Sequence, residues 1–88
     1  MRYYAAMLHM VDLEKNKKIL PYHIEYLNKL DQQGKIWGRG PFSDKSGGMV
    51  IYIAENLEEA KYMAENDPHV LEGVRRLELK EWEVLKSP

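Results

Sequence analysis

Apolar and polar positions along this chain of 88 residues change their spacing several times, and each change marks the boundary of a predicted element. The first segment, Arg2 to Met10, is short and rich in tyrosine and apolar residues, which predicts a strand. Its apolar residues fall on both faces, so this strand needs cover on both sides of the sheet. The next segment, Val11 to Lys18, is polar and charged, and we predict a connection or an irregular first turn there.

The spacing becomes helical from Ile19 to Gln33, and Gly34 follows as a natural C-terminal stop. Pro21 would lie in the first turn of this helix, where proline is tolerated. His23 falls on the same stripe as Leu27, and that stripe is predicted to face the core.

A second pair of strands is predicted after this helix. Lys35 to Gly38 is a short strand candidate, and Met49 to Ala54 is the clearest strand, again apolar on both faces. The stretch between them ends in the loop Ser43 to Gly48, whose residue types are typical of turns. We therefore predict a hairpin with a long loop.

The remaining chain predicts one helix and one strand. Asn56 to Asn66 has helical spacing and begins with a capping-box pattern, and Asp67-Pro68 ends it. Val74 to Leu85 is predicted to be the last strand. Its alternation slips phase near the end, which predicts a bulge or a bend.

The resulting order, β-α-β-β-α-β, predicts an α+β fold: a ferredoxin-like antiparallel sheet with both helices on one face. We treat residues 1–88 as a single domain. The first and third strands also carry apolar side chains on the other face, and nothing in the chain is left to cover them. Because burial is worth about 25 cal/mol per Å², we predict a homodimer in which two sheets pack face to face.

Composition excludes several functional classes. Thirteen basic and fourteen acidic side chains give a net charge of -1, so there is no bulk field to attract nucleic acid or an anionic membrane. RNA recognition is also disfavoured because the third strand has one aromatic residue and no Lys or Arg. The chain has no cysteine, which excludes a thiol nucleophile. No apolar run is long enough for a membrane span or a signal peptide, so a cytoplasmic location is expected by elimination.

Histidine and aspartate supply the candidate chemistry. If His23 lies in the first helical turn, the helix dipole disfavours the imidazolium, so the ring stays neutral and able to act as a base. The alternative is a core histidine that donates to a backbone carbonyl. Asp67 is explained by turn chemistry alone, unless the fold brings it near His23, where a carboxylate would orient the ring. Asp67 and His69 have no visible third partner, so no metal is predicted.

Short motifs in this order resemble the YCII-related proteins along nearly the whole chain. They are Pro21-Tyr22-His23-Ile24, Gly40-Pro41-Phe42, the loop from Asp44 to Gly48, Leu57-Glu58-Glu59-Ala60, and Asp67-Pro68 followed by Gly73. The resemblance implies a dimeric α+β barrel in which His23 and Asp67 form a dyad at a small pocket. The chain has Leu20 where the family often has a basic residue, and His69 where it often has an aromatic one.

Three hypotheses follow, and in the last of them the dimer itself is the function and the polar pair is a stabilising network. The first is a cofactor-free lyase or isomerase that acts on a small unsaturated keto-acid or lactone, with His23 and Asp67 as catalytic residues. Gly40, Pro41, Phe42 and His69 are then the expected substrate-binding residues. The second is a non-catalytic homodimeric module that binds a small ligand in the same pocket or serves an accessory role.

Overall fold

The computed structural model describes residues 1–85, so positions 86–88 of the predicted domain lie outside the described residues. The elements follow the predicted order, with one short helix added. They are β1 (Arg2–Met10), α1 (Leu13–Gln32), β2 (Ile36–Pro41), β3 (Gly47–Ala54), α2 (Leu57–Glu65), α3 (Pro68–Leu71) and β4 (Arg75–Trp82).

The four strands form one antiparallel sheet in the order β2-β3-β1-β4, which confirms the ferredoxin-like topology. The predicted bulge in the last strand is wrong, because β4 pairs with β1 without a register shift and the irregularity lies in β2, between Ile36 and Gly38. Trp82 lies on the opposite face from Leu77 and Leu79, since strand residues alternate. The phase slip in the sequence therefore marks a change of face.

The core lies on one side of the sheet, under the helices. Alternate residues of β1, namely Tyr4, Ala6 and Leu8, are almost completely buried there. Both long helices pack their apolar side chains against this face, α1 through Leu27 and Leu30 and α2 through Ala60 and Met63. The prediction that both helices cover one face is thus confirmed.

Helix α1 begins at Leu13, six residues before the predicted start, so the assignment of residues 13–18 to a connection or an irregular first turn is wrong, and only Val11 and Asp12 form a connection. Asp12 caps the helix, and its side chain accepts a hydrogen bond from the backbone N–H of Lys15 at 3.0 Å. These first turns have few apolar residues because most of their side chains face solvent. Pro21 and His23 consequently lie in the helix interior, and the dipole argument for a neutral His23 does not hold.

The capping of α2 agrees with the prediction, whereas α3 was missed. Asn56 accepts a hydrogen bond from the backbone N–H of Glu59 at 2.9 Å and begins α2. Helix α3 has only four residues, which is too short for apolar periodicity to reveal. It begins directly after Asp67, so it decides where that carboxylate lies.

The second face of the sheet, which we call the open face, has no covering element among the described residues. Its central positions are apolar and come from β1 and β3: Tyr3, Ala5, Met7, Met49, Ile51 and Ile53. Two tryptophans extend it, with Trp37 59% exposed and Trp82 41% exposed. Their rings lie edge to face with centroids 5.9 Å apart, and Trp37 meets Tyr3 in the same way at 6.4 Å.

Candidate active site

A cavity of about 610 Å³ lies between α1 and the β2–β3 hairpin. Its walls are mainly apolar, and the predicted residues Gly40, Pro41 and Phe42 line the hairpin side. His23 lines the opposite wall, from the middle of α1. The volume falls within the range of small-molecule sites, about 300–1,000 Å³.

His23 and Asp67 form a buried pair, as the resemblance implied. The Nδ1 atom of His23 lies 2.8 Å from Oδ1 and 2.9 Å from Oδ2 of Asp67. A carboxylate can only accept, so Nδ1 carries the proton, and in the neutral ring Nε2 is then the acceptor. The carboxylate therefore selects the tautomer in which Nε2 is free to take a proton, which replaces the helix-dipole explanation.

The start of α3 holds Asp67 in place. Its Oδ1 atom accepts a hydrogen bond from the backbone N–H of His69 at 2.9 Å, so Asp67 is the N-cap of this helix. Pro68 occupies the first helical position, where its fixed φ is already helical. The dipeptide Asp67-Pro68 thus aims a fully buried carboxylate at α1.

The structure brings His69 to this pair but not to the cavity wall. Its ring stacks on that of His23, with centroids 4.1 Å apart and planes inclined by 22°. The ring is fully buried, and neither nitrogen makes a hydrogen bond of ordinary geometry within residues 1–85, although the Asn16 backbone lies close. Burial, with smaller contributions from His23 and Arg75, lowers the pKa of His69 to about 4. The ring is thus neutral at pH 7.

The three side chains do not have the geometry of a metal centre. The nearest potential ligand atoms of His23, Asp67 and His69 all lie within 4.8 Å of one another. However, an imidazole coordinates through a lone pair in its ring plane, and two stacked rings direct their lone pairs side by side. Nδ1 of His23 is also engaged as a donor to Asp67. The arrangement fits a hydrogen-bonded cluster.

Arg75 and Asn16 were missed by the sequence reasoning, yet both line the cavity. Nε of Arg75 donates to Oδ1 of Asn16 at 3.0 Å, and both residues are buried. Burial lowers the pKa of Arg75, and the charge of Asp67 opposes this shift. Asn16 escaped notice because its segment was taken for a connection. The pair Arg75-Arg76 carried a usable signal, since one of two adjacent strand residues must face the helices.

The fold and the site together define a small α+β protein with one cavity-lining histidine held by a buried aspartate. The YCII-related domain matches residues 1–83, and the chain belongs to this family. It is 36% identical over 84 residues to the uncharacterized protein YjpA of Bacillus subtilis (strain 168), an alignment that covers 96% of this chain and 99% of YjpA.

A solved structure agrees with this assignment at the level of the fold. It is the 5-chloro-2-hydroxyhydroquinone dehydrochlorinase TftG from Burkholderia phenoliruptrix AC1100, in complex with 2,5-dihydroxybenzoquinone. The two chains share 22% sequence identity with a TM-score of 0.79, over 92% of this chain and 93% of TftG. Within residues 1–85, no helix is long and apolar enough to span a membrane.

Proposed function

We propose that this protein is a cofactor-free enzyme of the lyase or isomerase kind, acting on a small unsaturated keto-acid or lactone. One observation carries the proposal: a histidine on the wall of a 610 Å³ cavity has its Nδ1 proton held by a buried carboxylate. This is the arrangement by which proteins turn an imidazole into an oriented general base.

The proposed reaction is a proton transfer at Nε2 of His23. The substrate lies in the cavity with a C–H or O–H near Nε2, which takes the proton, while Asp67 stabilises the imidazolium that forms. The same proton then returns to another atom of the substrate in an isomerisation. In an elimination, Nε2 instead passes the proton to the leaving group, and the two depart together. A positioned base of this kind contributes roughly 10²–10⁴-fold to the rate.

The structural neighbour supports the reaction class. TftG is a dehydrochlorinase, a lyase-type activity, and it shares the fold of this chain. At 22% identity this likeness does not extend to the substrate.

A ligand-binding module without turnover is the second candidate. The stacking of His69 on His23 favours it, because a ring packed at 4.1 Å would also serve to stiffen a purely structural network. In that case the cavity would bind a ligand, but substitution of His23 would alter only affinity.

We further propose that two copies of the chain pair through the open face. Trp37 and Trp82 leave large apolar areas exposed there, and such contiguous patches are typical of interaction surfaces. A second copy would offer the same apolar face and so cover it symmetrically. The cytoplasmic location stays a prediction.

A screen of small unsaturated keto-acids and lactones for thermal stabilisation tests the proposed activity. A ligand at about 100 times its dissociation constant adds about 2.7 kcal/mol. Compounds that stabilise the protein are then assayed for turnover with the wild type and with His23→Gln. Tyr22→Phe is the matched control, because Tyr22 is the adjacent exposed residue. We expect His23→Gln to lose at least about 100-fold in rate, whereas a rate equal to that of the wild type would contradict the proposal.

A further inference from the structure

Arg75 is a buried cation without a carboxylate partner. Arg75 is 8% exposed. Within residues 1–85 its side chain makes one hydrogen bond, in which Nε donates to the neutral amide of Asn16. No ion pair of Arg75 occurs in this part of the chain. Removing a charge from water costs several kcal/mol unless an opposite charge compensates it. Asp67 acts on Arg75 only from beyond ion-pair distance, so this positive charge is not fully compensated within residues 1–85.

Arg75 lines the cavity, and its terminal nitrogens make no hydrogen bond within residues 1–85. The hairpin leaves room for the guanidinium at Gly48. A Cβ atom at this position would lie 3.3 Å from Nη1 of Arg75 and 2.8 Å from the carbonyl oxygen of Gly40. The absence of a side chain thus lets the guanidinium pack against the hairpin. Asn16 holds Nε, and the two terminal nitrogens stay available as a fork.

The charges around the cavity have one sign. Four basic residues line it, namely Lys17, Arg39, Lys45 and Arg75, and the lining includes no Asp or Glu. Arg39 is already paired with Asp31, whose Oδ2 lies 3.2 Å from its Nε. Lys17 is exposed and lies 3.9 Å from Oε1 of Glu14, and Lys45 is exposed at the surface, so Arg75 is the buried member of this group. Because the whole chain has a net charge of -1, this local excess is not a consequence of composition.

We infer that Arg75 binds an anionic group of the ligand, so that the site accepts small organic anions with an apolar body. A carboxylate or an ionised enol matches the two parallel donors of a guanidinium. The apolar walls, including Leu27 and Phe42, then cover the body of the ligand, and His23 lies on the same cavity. This inference shares the cavity with the proposed function and names its substrate class, but it does not depend on turnover.

Benzoate and benzamide test it, since they match in shape and differ in charge. Both are titrated into ¹⁵N-labelled protein and followed by NMR. We expect benzoate to bind at least about tenfold more tightly, which corresponds to about 1.4 kcal/mol, and to shift the Nε–Hε resonance of Arg75. Arg75→Gln should abolish this preference. Arg76→Gln should retain it, because that control removes the same charge from the adjacent, exposed position.

Three results would overturn the inference: equal affinity for the two compounds, a preference that survives Arg75→Gln, or no benzoate binding at about 50 mM. If Arg75→Gln does not fold, the wild-type comparison and the Arg75 resonance decide the matter. His23→Gln separates this inference from the proposed function. We expect it to keep the preference for benzoate, whatever its turnover, and loss of the preference in this variant alone would assign the anion to the dyad.

Discussion

Asp67→Asn tests how the carboxylate controls His23. Asparagine has nearly the same shape as aspartate and caps helices equally well. Its Oδ1 can therefore still accept the hydrogen bond from the His69 N–H, which is 2.9 Å long in the wild type. The amide nitrogen would then replace Oδ2, which lies 2.9 Å from Nδ1 of His23. Nδ1 also lies 2.8 Å from Oδ1, but an amide nitrogen in place of Oδ2 can only donate. It would repel an Nδ1–H group, so Nδ1 is expected to become an acceptor and the ring proton to move to Nε2. The fold should survive while the base is lost.

The size of the effect follows from the hydrogen bonds involved. A hydrogen bond to a charged group is worth about 1.5–3 kcal/mol, which favours the Nδ1–H tautomer by roughly 10–100-fold in the wild type. In the variant a neutral bond of about 0.5–1.5 kcal/mol favours the other tautomer by roughly 2–10-fold. The tautomer change leaves about a tenth to a third of the rings able to accept a proton. Loss of the carboxylate that stabilises the imidazolium removes roughly a further 10–100-fold, so turnover should fall by roughly 30–1,000-fold.

Long-range ¹H–¹⁵N correlation spectra of the imidazole nitrogens give the tautomer without any substrate. Asp12→Asn is the matched control, because Asp12 is also an N-cap but contacts Lys15 rather than a histidine. We expect it to leave the His23 signals unchanged. If Asp67→Asn retained the wild-type tautomer ratio, the assignment of the carboxylate as the orienting group would be refuted.

Three further predictions concern acid stability, assembly and the hairpin. The folded-state pKa of His69 is about 4, against an ordinary value near 6.5, so as pH falls through this range the unfolded chain takes up a proton at His69 and the folded protein does not. Stability should therefore drop by up to about 3 kcal/mol, and His69→Phe should lessen the loss in urea unfolding at pH 4.5 relative to pH 7. Trp37→Glu should convert a dimer to a monomer in light scattering, whereas Tyr62→Glu, at an exposed site on α2, should not. Gly47→Ala would make its Cβ clash with the Leu8 carbonyl oxygen, so it should lower the urea midpoint sharply. Gly38→Ala, where nothing lies within 4 Å of the added Cβ, should not.

The order of elements could be predicted because strands and helices leave different apolar periods. The start of α1 could not, since the segment from Val11 to Lys18 faces mostly solvent and carries no stripe. Its one buried polar residue, Asn16, accepts a hydrogen bond from Arg75, which lies 59 positions further along the chain. A contact between residues so far apart in the sequence cannot be predicted from the local spacing of apolar residues.

The dyad shows a similar division. The inward position of His23 followed from its spacing, and the turn at Asp67 followed from the proline after it. Their contact depends on the packing of α1 against α3, and α3 is too short to be recognised from a pattern. Only the family resemblance paired the two residues in advance. The resemblance also placed the His69 imidazole near the dyad, but its stacking on His23 followed from neither source.

Deuterium exchange tests the central claim, proton transfer by His23, most directly. Small unsaturated keto-acids that bind the protein are incubated in D₂O, and the loss of the C–H signal next to the carbonyl is followed by ¹H NMR. We predict exchange at least about 100-fold faster with the wild type than with His23→Gln, and an unchanged rate with Tyr22→Phe. Equal rates for the wild type and His23→Gln, or no exchange of any bound keto-acid above the rate in solvent alone, would contradict the account.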